Sequence, residues 1–496
     1  MLLLGIDLGT SSVKVSIVDV DTQQMLASAH YPEQEAPIIS LQTGWAEQSP
    51  ADWWEQTQRA IAICHQKGGY NPKDIAAIGI AYQMHGLVLV DKDQNVLRNS
   101  IIWCDSRAVA IGDKAFDDIG HEACLSHMLN SPGNFTASKL AWVKQNEPEI
   151  YSRIDKIMLP GDYIAMKLTG EITTSASALS EGIFFDFQFN GLSKDIIEYF
   201  GFSDSLFPVV KPVFSAHGRV SASVAQALQL NAGVPVTYKA GDQPNNALSL
   251  NVLKPGEVAA TAGTSGVIYG VSDQLAYDPQ SRVNTFAHVN YANDSKRLGV
   301  LLCINGTGSL YRWIRSAVAP TLSYQAINQE AENAPLGSGG LRIMPFGNGA
   351  ERMLSNKQVG AHLHGIDLNL HTPAHIFRAA QEGIACAFRY GLDIMRENGM
   401  NPTVIRAGKS NLFLSGLFAQ NFVDATGVPV ELYNNDGSMG AALGAGIGAE
   451  IFSPEEAFSN AKPIQRIEPV NAAFEEIYQS WRGILDQHLA SISSNQ

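Results

Sequence analysis

The chain is poor in cysteine. Its five, Cys64, Cys104, Cys124, Cys303 and Cys386, form an odd, scattered set with no CxxC spacing. Such a set fits free buried thiols in a reducing compartment rather than a disulfide framework. Positive charge is also short: 34 Lys and Arg stand against 48 Asp and Glu, a net charge of −14. That argues against the basic face of a nucleic-acid binder, although a nucleotide needs only local positive charge. No apolar run is long enough to span a bilayer. The apolar start, Met1 to Leu4, is too short for a signal peptide and is soon interrupted by Asp7. The expectation is a soluble cytoplasmic protein with no nucleic-acid and no membrane partner. Two common phosphate motifs, GxxxxGK[ST] and GxGxxG, are missing from the N-terminal stretch as well.

What is present is an ordinary globular composition, 45% hydrophobic and 17% charged. At 496 residues the chain exceeds what one core supports and reads as two or more domains.

The most informative stretch is GIDLGTSSVK, Gly5 to Lys14. An apolar strand ends in a glycine-hydroxyl turn, and a β-branched strand follows. Asp7 leaves a carboxylate at the first strand's end. Gly9, having no β-carbon, lets backbone N–H groups approach a bound anion. Thr10, Ser11 and Ser12 add hydroxyl donors, and Lys14 adds a mobile positive charge. An acid beside such a cradle suits a phosphate ligand brought in with Mg²⁺. The alternative is a plain hairpin with a polar turn. An echo favours the first reading. In VAATAGTSGVIYGV, Val258 to Val271, the core Gly263-Thr264-Ser265-Gly266 mirrors Gly9-Thr10-Ser11-Ser12. One such hairpin opening each half suggests two lobes, 1–246 and 247–496, closing on a nucleotide.

Along the chain, Ser49 and Pro50 start a helix through Trp53, Trp54 and Ile61. Ile75 to Ala81 is a buried strand ending in Gln83-Met84-His85-Gly86, the place where open α/β sheets bind ligands. Gln83 and His85 either hydrogen-bond sugar hydroxyls or are satisfied internally. Asp105, in WCDSR, either accepts from a substrate hydroxyl or pairs with Arg107. Ser175 to Asp186 reads as a covering loop or strand pair. The strand Val234 to Ala240 ends in Gly241-Asp242-Gln243-Pro244, with Pro244 expected to delay any helix. Asp242 is the second carboxylate of interest, since phosphoryl transfer to an alcohol needs an acceptor for the hydroxyl proton. Gly306 to Ser309 precedes a helix, and 344–352 reads as an irregular loop. His362, His364, His371 and His375 lack a zinc spacing. Thr372 or Pro373 starts a long helix to about Asn398. Arg406 to Asn411 is expected to cover a nucleotide base, and Gly437 to Gly444 opens a small-residue helix made for close packing.

These motifs together resemble the FGGY family of carbohydrate kinases, and within it the members that act on xylulose. The resemblance rests on GIDLGTSSVK, GWAEQSPADWW, QMHG, WCDSR, FTASKLAWV, AGD at Ala240 to Asp242 and AGTSG at Ala262 to Gly266, in that order nearly end to end. It implies an α/β, actin-like (ribonuclease-H-like) fold with ATP and sugar in the cleft between two lobes. It implies that Asp7 helps hold Mg²⁺ and that Asp242 accepts the sugar hydroxyl's proton. Gln83, Met84, His85, Asp105 and Gln243 would face the sugar. Thr10, Gly263, Thr264, Gly308, Arg312, Gly408 and Asn411 would lie along the nucleotide. The implied reaction is ATP-dependent phosphorylation of the terminal hydroxyl of D-xylulose. The alternatives are another ketose or polyol (ribulose, L-xylulose, gluconate) or a non-catalytic sugar- and ATP-binding regulator. A homodimer is left open. Two departures from the family pattern stand out. Ile405-Arg406-Ala407-Gly408 replaces a GGGA-type run, so Arg406 is expected either to crowd or to restack the base, which bears on nucleotide preference. Gln243-Pro244-Asn245 replaces Asn-Ala-Ala after the acid, which bears on the sugar. The Met84-His85 pair argues against glycerol.

Overall fold

The computed structural model describes residues 1–434 and 436–494. The first hairpin forms as expected: β1 (Leu2–Leu8) pairs antiparallel with β2 (Val13–Asp19), which pairs with β3 (Met25–Tyr31). Strand β4 (Ile75–Tyr82) lies parallel to β1. After an antiparallel edge strand, β5 (Phe214–Arg219), comes β6 (Pro235–Gly241), parallel to β4. The sheet order is β5-β6-β4-β1-β2-β3.

The second half repeats this. Strands β7 (Val258–Ala262), β8 (Gly266–Ser272), β9 (Asn284–Ala287) and β10 (Leu298–Ile304) are antiparallel neighbours. Strands β11 (Ile405–Gly408) and β12 (Val430–Tyr433) run parallel to β7, and β13 (Gln465–Ile467) is an antiparallel edge. The order is β9-β10-β8-β7-β11-β12-β13. Apart from β9, each strand has its counterpart in the first sheet, so the echo between the two hairpins is one part of a duplicated sheet.

Helices complete the layers. In α1 (Pro50–Lys67) the Ser49 side chain accepts from Asp52 N, a cap that stabilises by about 1 kcal/mol. Its inner face buries Trp53, Ile61 and Cys64, while Trp54 is half-buried. The segment expected as a loop or strand pair is instead helical: α2 (Ala176–Glu181), capped by Ser175, precedes a two-residue strand at Phe185–Asp186. Pro244 likewise fails to delay a helix. Helix α3 (Asp242–Ser249) starts at the acid itself, because a proline in the first turn costs no intrahelical hydrogen bond there. In the second half come α4 (Gly308–Val318), α5 (Tyr324–Ala331), α6 (Pro373–Glu397) and α7 (Gly416–Thr426). Part of 344–352 is also regular, since Met344–Phe346 ends a strand that pairs with Gly360–His364.

Helix α8 (Gly437–Gly448) comes late in the chain yet lies on the first sheet, against β1, β4 and β6. Its small residues make this possible. A β-carbon at Gly5 would sit 1.8 Å from Ser438 O, and one at Gly79 would sit 1.9 Å from Ala441 O. The sheet and helix backbones therefore touch, which buries both faces of β1. Helix α8 also packs on α3, where Asn245 Nδ2 donates to Gly437 O at 2.8 Å. These two helices join the halves beneath the cleft. The final helix, α9 (Phe474–Ser494), docks on the second core through Phe474, Tyr478, Trp481 and Leu485, and Trp481 Nε1 donates to Ile343 O at 2.9 Å.

Candidate active site

Strands β1, β4 and β6 are adjacent and parallel, so their C-terminal ends open at one edge. That edge carries Asp7, then Gln83, Met84 and His85, then Asp242. The fold thus brings together three segments far apart in sequence. Burial pushes the Asp7 carboxyl up to about 6, and the charge of Asp242 pushes in the same direction, while Lys14 opposes both. Burial also raises Asp242 to about 6, against hydrogen bonds from Gln243. Lys14 Nζ forms an ion pair with Asp436, whose other oxygen caps α8 by accepting from Ser438 N at 2.9 Å. Among the described residues no group donates a hydrogen bond to the Asp7 carboxylate.

His85 sits at φ +62. Its Nδ1 lies 2.9 Å from Glu181 O, and its backbone N donates to Glu181 Oε2 at 3.2 Å. Burial, with Lys139 and Arg352 nearby, pushes its pKa down to about 3. The neutral ring therefore donates from Nδ1 to the carbonyl and leaves Nε2 as an acceptor. Its ring meets Phe135 edge-on at 4.8 Å. Met84 is buried over Gly241, where a β-carbon would come within 2.5 Å of Met84 Cγ.

The other expected sugar-side residues are less free. Gln83 is buried, accepts from Thr10 Oγ1 at 3.2 Å and donates to Gln48 Oε1 at 3.0 Å. Of the two readings of Asp105, the pairing is the one observed. Its carboxylate accepts from Ala46 N at 2.6 Å, from Arg107 N at 2.9 Å and from the Arg107 guanidinium at 2.7 Å. Arg107 in turn stacks on Trp45, 3.8 Å from its ring centre. Sequence reasoning missed Glu181 and Lys139. Glu181 is buried and accepts from Tyr82 OH at 2.7 Å, and Lys139 is buried and donates to His85 O at 2.8 Å. The helix carrying Lys139 was legible, but nothing local in the sequence marks these two side chains as facing the cleft.

On the opposite side of the cleft, a cavity of about 780 Å³ is lined by Gly263, Thr264, Gly308, Arg312 and Asn411, as expected. It is lined too by Tyr324, Gln325, Asn328 and Leu412, which the sequence alone did not single out. The hairpin turn abuts the start of α4: Gly308 N donates to Gly263 O at 3.0 Å and Ser309 N to Thr264 O at 3.1 Å. Gly9, Ser11 and Ser12 form the matching turn of the first hairpin, with Gly9 N donating to Ser12 O at 3.1 Å. Thr10 lies beside it and accepts from Trp103 Nε1 at 2.9 Å.

Gly408 and Arg406 do not line this cavity. Arg406 is turned away from it, bonded to the carbonyl of Asn251 and 3.4 and 3.6 Å from the carboxylates of Glu257 and Glu431. On β11, Arg406 pairs beside Ala259 and Glu431, which draws its charge toward acids on the neighbouring strands. The expected crowding of the base is therefore corrected.

The N-terminal domain of the FGGY family of carbohydrate kinases matches residues 2–249, and the C-terminal domain of that family matches residues 258–449. The chain belongs to this family. It is a sugar phosphotransferase of actin-like fold, and kinases of this family use ATP. It is 29% identical over 494 residues to the xylulose kinase of Bacillus subtilis, spanning 96% of each chain. Among solved structures, a "xyloylose kinase" from Brucella ovis matches with a TM-score of 0.89 at 27% identity, covering 99% of this chain and 100% of that one. The gluconate kinase of Lactobacillus acidophilus matches with a TM-score of 0.90 at 20% identity, covering 100% and 99%. That last likeness speaks to fold alone, and the named substrates of these FGGY relatives differ.

Proposed function

We propose that this chain transfers the γ-phosphoryl group of ATP to the terminal hydroxyl of D-xylulose, with Asp242 as the proton acceptor. The observation that carries this is the placement of Asp242 at the end of β6, beside Met84 and His85 and across β4 from Asp7, whose carboxyl feels its charge. A carboxylate raised to about 6 is a stronger base than an ordinary aspartate and is still largely ionised at neutral pH. His85, neutral, offers Nε2 to a sugar hydroxyl, and Met84 supplies an apolar wall. The lobe of residues 1–246 would hold the sugar and that of 247–496 the nucleotide. Gly9, Thr10, Ser11, Ser12 and Lys14 from the first hairpin would meet Gly263, Thr264, Gly308, Arg312 and Asn411 across the phosphates.

Asp7 fits a Mg²⁺ ligand: it is a half-buried oxygen donor with no hydrogen-bond donor on it among the described residues, and Mg²⁺ takes oxygen ligands. Bound there with the nucleotide, the ion would supply charge neutralisation of the phosphates. The chain's own groups would orient the hydroxyl, take its proton at Asp242 and exclude water as the lobes close.

The sugar assignment is supported by the xylulose kinases among the relatives. Release of ADP from Mg·ATP, measured against D-xylulose, L-xylulose, D-ribulose, L-ribulose, glycerol, gluconate and no sugar, tests it. A clear preference for D-xylulose is expected. Preference for another sugar would move the substrate and direct attention to Gln243-Pro244. No sugar-dependent release would leave a binding protein instead.

A further inference from the structure

The nucleotide-side cavity contains a hydrogen-bond relay. It begins at the backbone N–H of Phe418, which donates to Ser415 Oγ at 3.2 Å. Ser415 in turn donates to Gln381 Oε1 at 3.0 Å. The amide of Gln381 is fully buried. Its nitrogen points the other way and has two hydrogens for two acceptors: Tyr311 OH at 2.7 Å and Asn328 Oδ1 at 3.1 Å. Tyr311, having accepted from Gln381, donates to the same Asn328 Oδ1 at 2.8 Å.

Both lone pairs of Asn328 Oδ1 are thus occupied. With Gln381 in this orientation, flipping the Asn328 amide alone would set its NH₂ against two donors, so Nδ2 lies on the outer side. Asn328 lines the cavity, and neither hydrogen of its Nδ2 has a protein acceptor among the described residues. A donor-only group, oriented by buried partners and facing a ligand cavity, selects a ligand atom that accepts.

We propose that Asn328 is a specificity-determining residue that reads the nucleobase by donating a hydrogen bond to a ring nitrogen of adenine. The three ring acceptors open to such a donor are N1, N3 and N7. This rests on the placement of ATP in the cavity given above.

The test is calorimetric binding of ADP to the full chain, compared with 1-deaza-, 3-deaza- and 7-deaza-ADP. Each analogue removes one ring acceptor. One of the three is expected to bind at least about tenfold more weakly than ADP. In Asn328→Ala, ADP itself weakens by about the same factor, and the sensitive analogue loses nothing further, because the interaction it lacked is already gone. A side chain that only supported the fold would weaken all four ligands in parallel. Equal binding of ADP and all three analogues to the wild type overturns the inference, and so does a full analogue penalty that survives in Asn328→Ala. Equal binding of the four ligands to the wild type overturns the inference whether or not the variant folds, and Asn328→Asp, which keeps the Oδ1 acceptor and removes the donor, serves in place of the alanine variant if that one does not fold. Sugar-dependent ADP release together with equal binding of the four ligands sinks this inference alone. Failure of ADP to bind at all sinks it together with the placement of ATP.

Discussion

Gly437, the first residue of α8, lies directly against Asp7: a β-carbon there would be 2.1 Å from Asp7 Oδ2. A helix from the far end of the chain thus fixes the position of the first strand's acid. Gly437→Ala is expected to displace the Asp7 carboxylate and lower turnover at least about tenfold. The helix itself tolerates the change, since alanine favours helix by up to about 1 kcal/mol over glycine. Steady-state rates with calorimetric sugar binding check this. Sugar affinity should hold within about twofold, and unchanged turnover would show that Asp7 need not sit where it does.

Asp242 allows a sharper separation of binding from chemistry. Asp242→Asn keeps the shape at the end of β6 but cannot take up a proton, so turnover should fall by about 10²–10⁴. Sugar binding should persist, because His85 and Met84 are untouched. A variant with wild-type turnover would remove Asp242 from the role of base.

What could be read beforehand follows how local each signal is. The hairpins 5–14 and 258–271 declare themselves through strand, glycine and hydroxyls within a dozen residues, and both form. Asp7 and Asp242 are visible as acids at strand ends, and the sheet order then brings both to one edge, on either side of β4. Asn328 and Tyr324 gave no such signal, because α5 reaches the cavity through packing against α6, far along the chain. Arg406 misled for the same reason. Its partners are Glu257, which just precedes β7, and Glu431 on β12, and only the sheet makes them neighbours. The segment 175–186 lacks helical periodicity. Its helix is held by the Ser175 cap and by the burial of Ala178 and Leu179 rather than by a pattern.

Arg406 gives a direct check on that correction. With its guanidinium tied to Glu257, Glu431 and the Asn251 carbonyl, Arg406→Ala should leave the KM for ATP within about twofold. It should lower unfolding free energy by about 1–3 kcal/mol, since two acids lose their shared cation. A large rise in the KM for ATP, with stability intact, would return Arg406 to the base.

The last prediction concerns pH and a group away from the cleft. His217 is fully buried, with Nδ1 3.1 Å from Thr173 Oγ1 and Nε2 3.1 Å from Val213 O. Burial, together with the nearby charge of Lys239, pushes its pKa down from 6.5 to about 3. The folded state therefore refuses a proton that the unfolded chain accepts below about 6.5. The contribution of a neutral His217 is fully present above that pH and is lost progressively as pH falls toward about 3, by about 1.4 kcal/mol per unit. Asp7 and Asp242, raised to about 6, act with the opposite sign between about 6 and 4, so the whole protein's pH profile blends both effects. A comparison with His217→Asn isolates the one group. At pH 7.5 the variant should be less stable, through imperfect replacement of two buried hydrogen bonds. As pH drops from 6.5 to 5, the difference should shrink by about 2 kcal/mol, because only the histidine form forgoes proton uptake. Urea unfolding of both proteins at the two pH values measures it, and a difference that stays constant with pH would mean that His217 takes up its proton in the folded state as readily as in the unfolded one.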